Sequence, residues 1–173
     1  AIVAAGPSVP DFLNEIRTFQ HVWAINGAYG YLIDQGIIPN GVVLADPLPT
    51  LAGDFAKANK RTTFYASGLC DPSVFNALSG FDVQLWFPVQ DAVPALKDCP
   101  TISGGTTAVT RAPFLAKYLG FRDVTLFGVD SSYDQGRYCY PDGSYPDDSK
   151  ASVNRVMCNG EGPFYTEYPL INQ

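Results

Sequence analysis

The sequence predicts an α/β fold of the Rossmann-like kind: a mostly parallel sheet with helices on both faces and a loop-rich C-terminal segment. Three observations carry this. Short apolar runs without polar alternation recur as AIVAA (1–5) and GVVLA (41–45), with TTFYAS (62–67) as a further strand, and strands of the apolar texture are buried on both faces, as in parallel sheets. Segments with apolar residues at helical spacing lie between them. The junctions where the runs end collect Gly, Pro, Asn, Asp and Ser, the residues of tight turns and helix caps. With 173 residues and 46% hydrophobic content, the chain builds one core. The expected division is a nucleotide-binding core over 1–133 and a loop or lid with a tail over 134–173 of the same domain.

Taken in order, the strand at Ala1–Ala5 hands over at Gly6-Pro7-Ser8 to a helix over 11–19, where Phe12, Ile16 and Phe19 share a face. HVWAIN (21–26) is a second strand, and GAYGYLIDQG (27–36) a helix with Tyr29, Leu32 and Ile33 on one side, stopped by Gly36. GVVLADP (41–47) is a third strand, reached by a crossover expected to be right-handed. TTFYASG (62–68) follows, then Asp71 as helix cap with Pro72 as first helical residue, then VQLWFPV (83–89) as a strand. The bare turn Ser103-Gly104-Gly105-Thr106-Thr107 opens a helix with Val109, Ala112, Leu115, Ala116 and Leu119 as its stripe; Gly120 ends it. Pro113 is expected to kink that helix or mark a late start. RDVTLFGVD (122–130) is the last strand. Residues 131–173 are rich in Gly, Pro, Ser, Asp and Tyr without periodicity, and read as a long loop or lid with a weakly structured tail. No internal repeat stands out.

Charge and composition narrow the function. The formal net charge is -6 and no basic cluster occurs, so a nucleic-acid partner is disfavoured. A small phosphate ligand stays open, since backbone N–H groups and helix starts attract anions without basic side chains. The mean hydropathy is +0.00 and no apolar stretch of membrane-spanning length exists. Ala1 already lies in an expected strand without a charged leader, so preceding residues are expected to be missing; no export signal is read, and a cytoplasmic location is expected. Cys70, Cys99, Cys139 and Cys158 are scattered, which reads as four free thiols, with a Cys139–Cys158 bridge as the minor alternative.

In an open parallel sheet ligands bind beyond the carboxyl ends of the strands. The candidate nucleotide-binding residues are therefore Gly6, Pro7, Ser8, Asn26, Ser103, Gly104, Gly105, Thr106 and Thr107, with Asp46 and Asp130 as candidate catalytic or metal-binding carboxylates. Each has a plainer reading. Gly-Pro-Ser and Gly-Gly-Thr-Thr are common turns with helix caps, Asn26 can brace a loop, Asp46 before Pro47 can form a turn, and Asp130 can cap a helix. His21, the only histidine, reads as surface or packing. The glycines fit neither the dinucleotide fingerprint nor the P-loop.

The runs AIVAAGPS, AINGAYGYLIDQGIIPNGVVLADP and TISGGTTAVTRAPFLAKYLGFRDVTLFGVDSSY resemble the 6-hydroxymethylpterin diphosphokinase-like (MptE-like) domains, a family that includes the core of the Maf flagellin glycosyltransferases. The similarity extends more distantly to bacterial sialyltransferases that use CMP-sialic acid. The resemblance implies a nucleotide over Gly6-Pro7-Ser8 and Asn26, with the Ser103-Gly104-Gly105 turn near the phosphates and Asp130 and Tyr133 bordering the reacting end. The histidine base of the sialyltransferases has no counterpart, because no histidine follows His21. Asp46 and Asp130, expected on neighbouring strand ends, would jointly hold Mg²⁺, or one of them would act as general base.

The function expected from these residues is that of an enzyme, a nucleotide-dependent transferase with a small-molecule nucleotide substrate. A glycosyltransferase using a nucleotide-activated, sialic-acid-like sugar leads, because the Tyr-rich segment 136–146 suits a sugar-stacking lid. The alternatives are Mg²⁺-dependent pyrophosphoryl transfer from ATP to 6-hydroxymethyldihydropterin, and a non-catalytic nucleotide-binding domain. Oligomeric state is left open by the sequence.

Overall fold

A computed structural model describes residues 1–89 and 98–131, together with the backbone of 153–158 and 161–167. Seven strands form one sheet: β1 (Ile2–Val3), β2 (Trp23–Ile25), β3 (Gly41–Leu44), β4 (Thr63–Ser67), β5 (Asp82–Pro88), β6 (Thr101–Ile102) and β7 (Leu126–Phe127). Between them run α1 (Val9–Ile16), α2 (Ala28–Asp34), a 3-10 segment (Pro49–Phe55), α3 (Pro72–Ala77) and α4 (Ala108–Tyr118). The strand order is β6-β5-β4-β3-β2-β1-β7, and every pairing is parallel.

Crossover handedness explains where the helices lie. From β1 to β5 each strand is laid beside the previous one in the same direction, so right-handed connections place α1, α2, the 3-10 segment and α3 on one face. The link from β6 to β7 runs back across the whole sheet, and the same handedness puts α4 on the other face. Side-chain alternation along the strands agrees. Val3, Ala24, Val42, Leu44 and Phe64 join Val9, Ile16, Leu32, Phe55 and Val74 in one buried cluster. Ile2, Ala4, Trp23, Ile25 and Val43 join Ala108, Ala112, Leu115 and Ala116 in the second.

Local chemistry sets the element ends. Asp71 caps α3, its carboxylate accepting from the Ser73 N–H at 2.9 Å. Thr107 and Thr110 form a reciprocal capping box at the start of α4. That helix runs through Pro113 without breaking, since burial of Ala112, Leu115 and Ala116 on the sheet outweighs one missing N–H bond. The strand expected over 122–130 is paired only at Leu126–Phe127, and β6 and the 3-10 segment are additions to the sequence-based plan.

The C-terminal stretch departs from the expected loop and tail in part. β8 (Val153–Cys158) and β9 (Glu161–Glu167) pair antiparallel as a separate two-stranded sheet. Asn159-Gly160 stands between them in the sequence, a dipeptide that suits a two-residue hairpin turn. The remainder of the expected lid, including 136–146 and Cys139, lies outside the described residues, and Cys70 and Cys99 are free thiols. Among the described residues no helix is long and apolar enough to cross a membrane.

One position on the α4 face shows how tightly the sheet is dressed. Trp23 and Tyr65, from strands on either side of β3, stack with ring centroids 4.9 Å apart. They meet because Gly41 separates them: a Cβ there would lie 2.9 Å from Trp23 Nε1 and 3.0 Å from Tyr65 Cε2. Gly41→Val is expected to destabilise the fold by about 2 kcal/mol through forced repacking, read as a lower urea midpoint with an unchanged slope and altered tryptophan fluorescence.

Candidate functional site

The order of the strands fixes the switch point. β2 leaves β1 on one side and β7 returns on the other, so the crevice at the carboxyl ends of β1 and β7 is where the fold opens. Gly6 and Gly128 face each other there. The Gly6 N–H donates to Gly128 O at 2.9 Å. Gly128 has φ +65, and a Cβ on it would lie 2.6 Å from Ala4 O and 3.1 Å from Gly6 N. A side chain on either residue would separate the two strand ends.

This closure brings Gly6, Ser8 and Asp130 together. Pro7 has no N–H, so the turn's outward donors are those of Ser8. Asp130 takes both: Oδ2 accepts from the Ser8 N–H at 2.8 Å and Oδ1 from Ser8 Oγ at 2.7 Å. Bonds of this charge-assisted kind contribute roughly 1.5–3 kcal/mol each. Asp130 thus caps α1 from 122 residues away, the plainer role foreseen for it.

Asp46 lies elsewhere. β2 and β1 separate β3 from β7, three interstrand steps, or roughly 14 Å at about 4.8 Å per step. The expectation that Asp46 and Asp130 occupy neighbouring strand ends is therefore corrected, and with it the single ion held by both, because two carboxyl arms do not span that gap. The connection between β6 and β7 returns over the whole sheet, and this is why sequence proximity to a strand end misled. Asp46 Oδ1 accepts from the Leu48 N–H at 2.9 Å, closing a turn after β3.

Asn26 braces this same corner. It adopts φ +44 and its Oδ1 accepts from the Ala45 N–H at 3.2 Å, tying the end of β2 to the loop that carries Asp46. Beside them stands a carboxylate that sequence reasoning passed over, Asp54 of the 3-10 segment. A Cβ on Gly27 would lie 3.2 Å from Asp54 Oδ2, so the carboxylate hangs over the turn that opens α2. No hydrogen bond or ion pair reaches it among the described residues. Partial withdrawal from water, then the nearby Asp46 charge, raise its pKa above the ordinary 3.8. The signal available in the sequence was an acid between Gly53 and Phe55, ten residues past the end of β3, and the 3-10 segment that carries it, on which Asp54 is exposed, left no periodic trace. Cys70 is buried nearby, and burial pushes its thiol up to about 11.

The Ser103–Thr107 turn begins at β6, the far edge of the sheet from β1. α4 carries its start inward, since Ala108 and Ala112 share a cluster with Ala4, Ile25 and Val43. Ser103 to Thr106 are exposed. Both glycines are needed by the turn itself: a Cβ on Gly105 would meet Thr110 Oγ1 at 2.6 Å, and one on Gly104, at φ +132, would meet Arg111 Cα at 3.0 Å. Thr107 is committed to its capping box. Tyr133 lies outside the described residues, and His21 sits at the opposite end of the sheet with its ring edge-on to Phe121 at 5.3 Å.

Two comparisons bear on this geometry. The family model described as 6-hydroxymethylpterin diphosphokinase MptE-like matches residues 1–136. A solved structure, that of the Maf glycosyltransferase from Magnetospirillum magneticum AMB-1, shares the fold with a TM-score of 0.68 at 21% identity, over 98% of this chain. The chain spans 28% of that protein's length. No curated protein matches the chain.

The raised pKa of Asp54 has a consequence with a definite sign. Ionised Asp54 is penalised in the fold, so its cost is absent at a pH below the ordinary 3.8 and grows as pH rises through the folded value. Asp54→Asn is therefore expected to raise the melting temperature at pH 7, with the gain fading below about pH 4. Melting curves across pH check it; a gain independent of pH would remove the titration from the explanation.

Proposed function

Because the chain belongs to the 6-hydroxymethylpterin diphosphokinase MptE-like family, we propose that it is a nucleotide-dependent transferase working at the rim above β2 and β3. The observation that carries this reading is the unpartnered Asp54 carboxylate beside Asp46, braced by Asn26, at the carboxyl ends of adjacent strands. An acceptor hydroxyl must lose its proton as it attacks the donor, and a carboxylate with a raised pKa and no competing donor is suited to take it. Asp54 is assigned that role where no cation is bound; where Asp46 and Asp54 hold a cation, the ion would instead lower the pKa of the hydroxyl.

The donor set also fits a hard cation. Asp46 and Asp54 offer two carboxylates, and Mg²⁺ favours one or two such ligands completed by substrate phosphates and water. When bound, the ion supplies charge neutralisation of the donor phosphates. Among the described residues no group of three or more acidic, histidine or cysteine side chains gathers, so an ion held by Asp46 and Asp54 would take its other ligands from water and the donor phosphates. Such a metal-binding pair is in keeping with ATP as donor, and 6-hydroxymethyldihydropterin as acceptor is taken from the description of the family. The second reading, transfer from a nucleotide-activated, sialic-acid-like sugar, draws on the fold shared with the Maf glycosyltransferase.

The test sets ATP with 6-hydroxymethyldihydropterin beside CMP-sugars and other nucleotide sugars, each with and without EDTA. AMP formation from ATP and the pterin, lost in EDTA, is the expected result. Metal-independent release of nucleotide from a sugar donor would transfer the lead to glycosyl transfer. Nucleotide binding without turnover in either set would mark a non-catalytic domain. Asp54→Asn is expected to lower kcat by about 100-fold or more while leaving the nucleotide-induced rise in melting temperature in place; failure of every nucleotide to raise it would overturn the assignment.

A further inference from the structure

The two edges of the sheet are finished differently. At the β6 edge, Pro100 O and Ile102 O turn toward β5, where they accept from the Phe87 and Val89 N–H groups at 2.9 Å and 3.0 Å. Thr101 is left facing outward, an exposed polar residue directly after an exposed proline. Prolines and polar side chains keep a sheet edge from pairing with another chain. The β7 edge has neither: residues 124–129, VTLFGV, carry no charge and no proline.

Backbone groups on that edge are also free to pair. Thr125 O and Phe127 O accept from the Ile2 and Ala4 N–H groups at 2.8 Å each, so alternation along the strand points the N–H and C=O of Leu126 away from β1. Apolar side chains flank them on both faces of the sheet. Leu126, 44% exposed, stands in register with Ile2 on the α4 face. Phe12, 41% exposed, sets its ring 5.8 Å from that of Phe127 on the α1 face, and Val129 is exposed two residues further on. Among the described residues no strand of this chain pairs with the edge, since β8 and β9 make a sheet of their own.

We propose that the β7 edge is where two copies of this chain pair, joining their seven-stranded sheets side by side. A second copy suits the edge because the edge is self-complementary about a two-fold axis. Antiparallel pairing centred on Leu126 lets each Leu126 N–H donate to Leu126 O of the other copy, the exchange of two bonds that antiparallel neighbours make. The axis stands perpendicular to the sheet, so both copies of Leu126 meet on the α4 face and both copies of Phe12 approach on the α1 face. Arg122 and Asp130 lie four residues to either side of Leu126. The same pairing carries the exposed Arg122 of each copy toward the half-exposed Asp130 of the other, opposite charges at both ends.

The test is the mass of the whole chain in solution, by sedimentation equilibrium over a wide range of concentration. The wild type is expected to form a dimer. Leu126→Lys is expected to weaken association by at least about tenfold, because it sets two like charges together at the axis, while keeping the far-ultraviolet dichroism of the wild type. Val129→Lys, at the flank of the same edge, carries the same expectation and serves where the first variant does not fold. Tyr118→Lys, on the equally bare outer side of α4, is expected to leave association unchanged. A wild type that stays monomeric at every concentration overturns the proposal. So does a dimer that survives the edge lysines, or one that only Tyr118→Lys breaks. None of these results touches the transferase reading, which is decided with nucleotides and the Asp54 variant.

Discussion

Everything at the carboxyl rim depends on the contact between Gly6 and Gly128. The last strand has to return to β1 from the far edge of the sheet, and it can dock only if two backbones meet without side chains between them. The Gly6 N–H to Gly128 O bond and the left-handed Gly128 make that meeting possible. Asp130 then lies two residues beyond the contact, and its carboxylate reaches the start of α1. Closure of the sheet and capping of the first helix are thus one event. A larger residue at either glycine would cost both.

The same return path shapes the two faces differently. Among the described residues, four connections cover one side of the sheet and α4 covers the other. On that side the ends of the strands rely on large rings, Trp23 on Tyr65 and on Phe121, to fill what helices fill elsewhere. β4 and β5 present Thr63 bonded to Asp82 there, a polar surface beyond the reach of α4. Because α4 begins over the central strands, it brings the Ser103–Thr107 turn toward Asn26 and the Asp46 loop, although β6 is an outer strand. Long crossovers unite residues that strand order separates.

Much of the fold was legible because it is written in local signals. Apolar runs marked β1, β3 and β4; Asp71-Pro72 marked the start of α3, and Gly120 the end of α4, each by its own stereochemistry. The pairing of Ser8 with Asp130 was not legible, since it depends on β7 lying beside β1 rather than beside the strand before it. For the same reason Asp46 and Asp130 looked like partners, when three interstrand steps divide them. Asp54 escaped because a 3-10 segment has no amphipathic period and its acid resembles any surface carboxylate until Gly27 is placed beneath it. The strands Val153–Cys158 and Glu161–Glu167 lacked alternation, so they read as part of a loop and tail.

The proposed phosphorylated donor would bring negative charge to an acidic chain, and that charge has to be answered somewhere. Its described cations are largely engaged: Arg17 donates to Gln35 O, Lys57 pairs with Asp34, Lys60 donates to Gly80 O, and Arg111, on the first turns of α4, donates to Ile102 O at 3.1 Å. With a net charge of -6, long-range attraction does not bring the donor in. Beside the other described cations, Arg61, Lys117 and Arg122, further sources of positive potential are backbone N–H groups at helix starts and a cation accompanying the phosphates. The first is available at Ser8 only against Asp130, and the second suits Asp46 and Asp54. Of the three rim carboxylates, Asp130 is held by Ser8 and Asp46 by the Leu48 N–H, and Asp54 alone carries no hydrogen bond among the described residues.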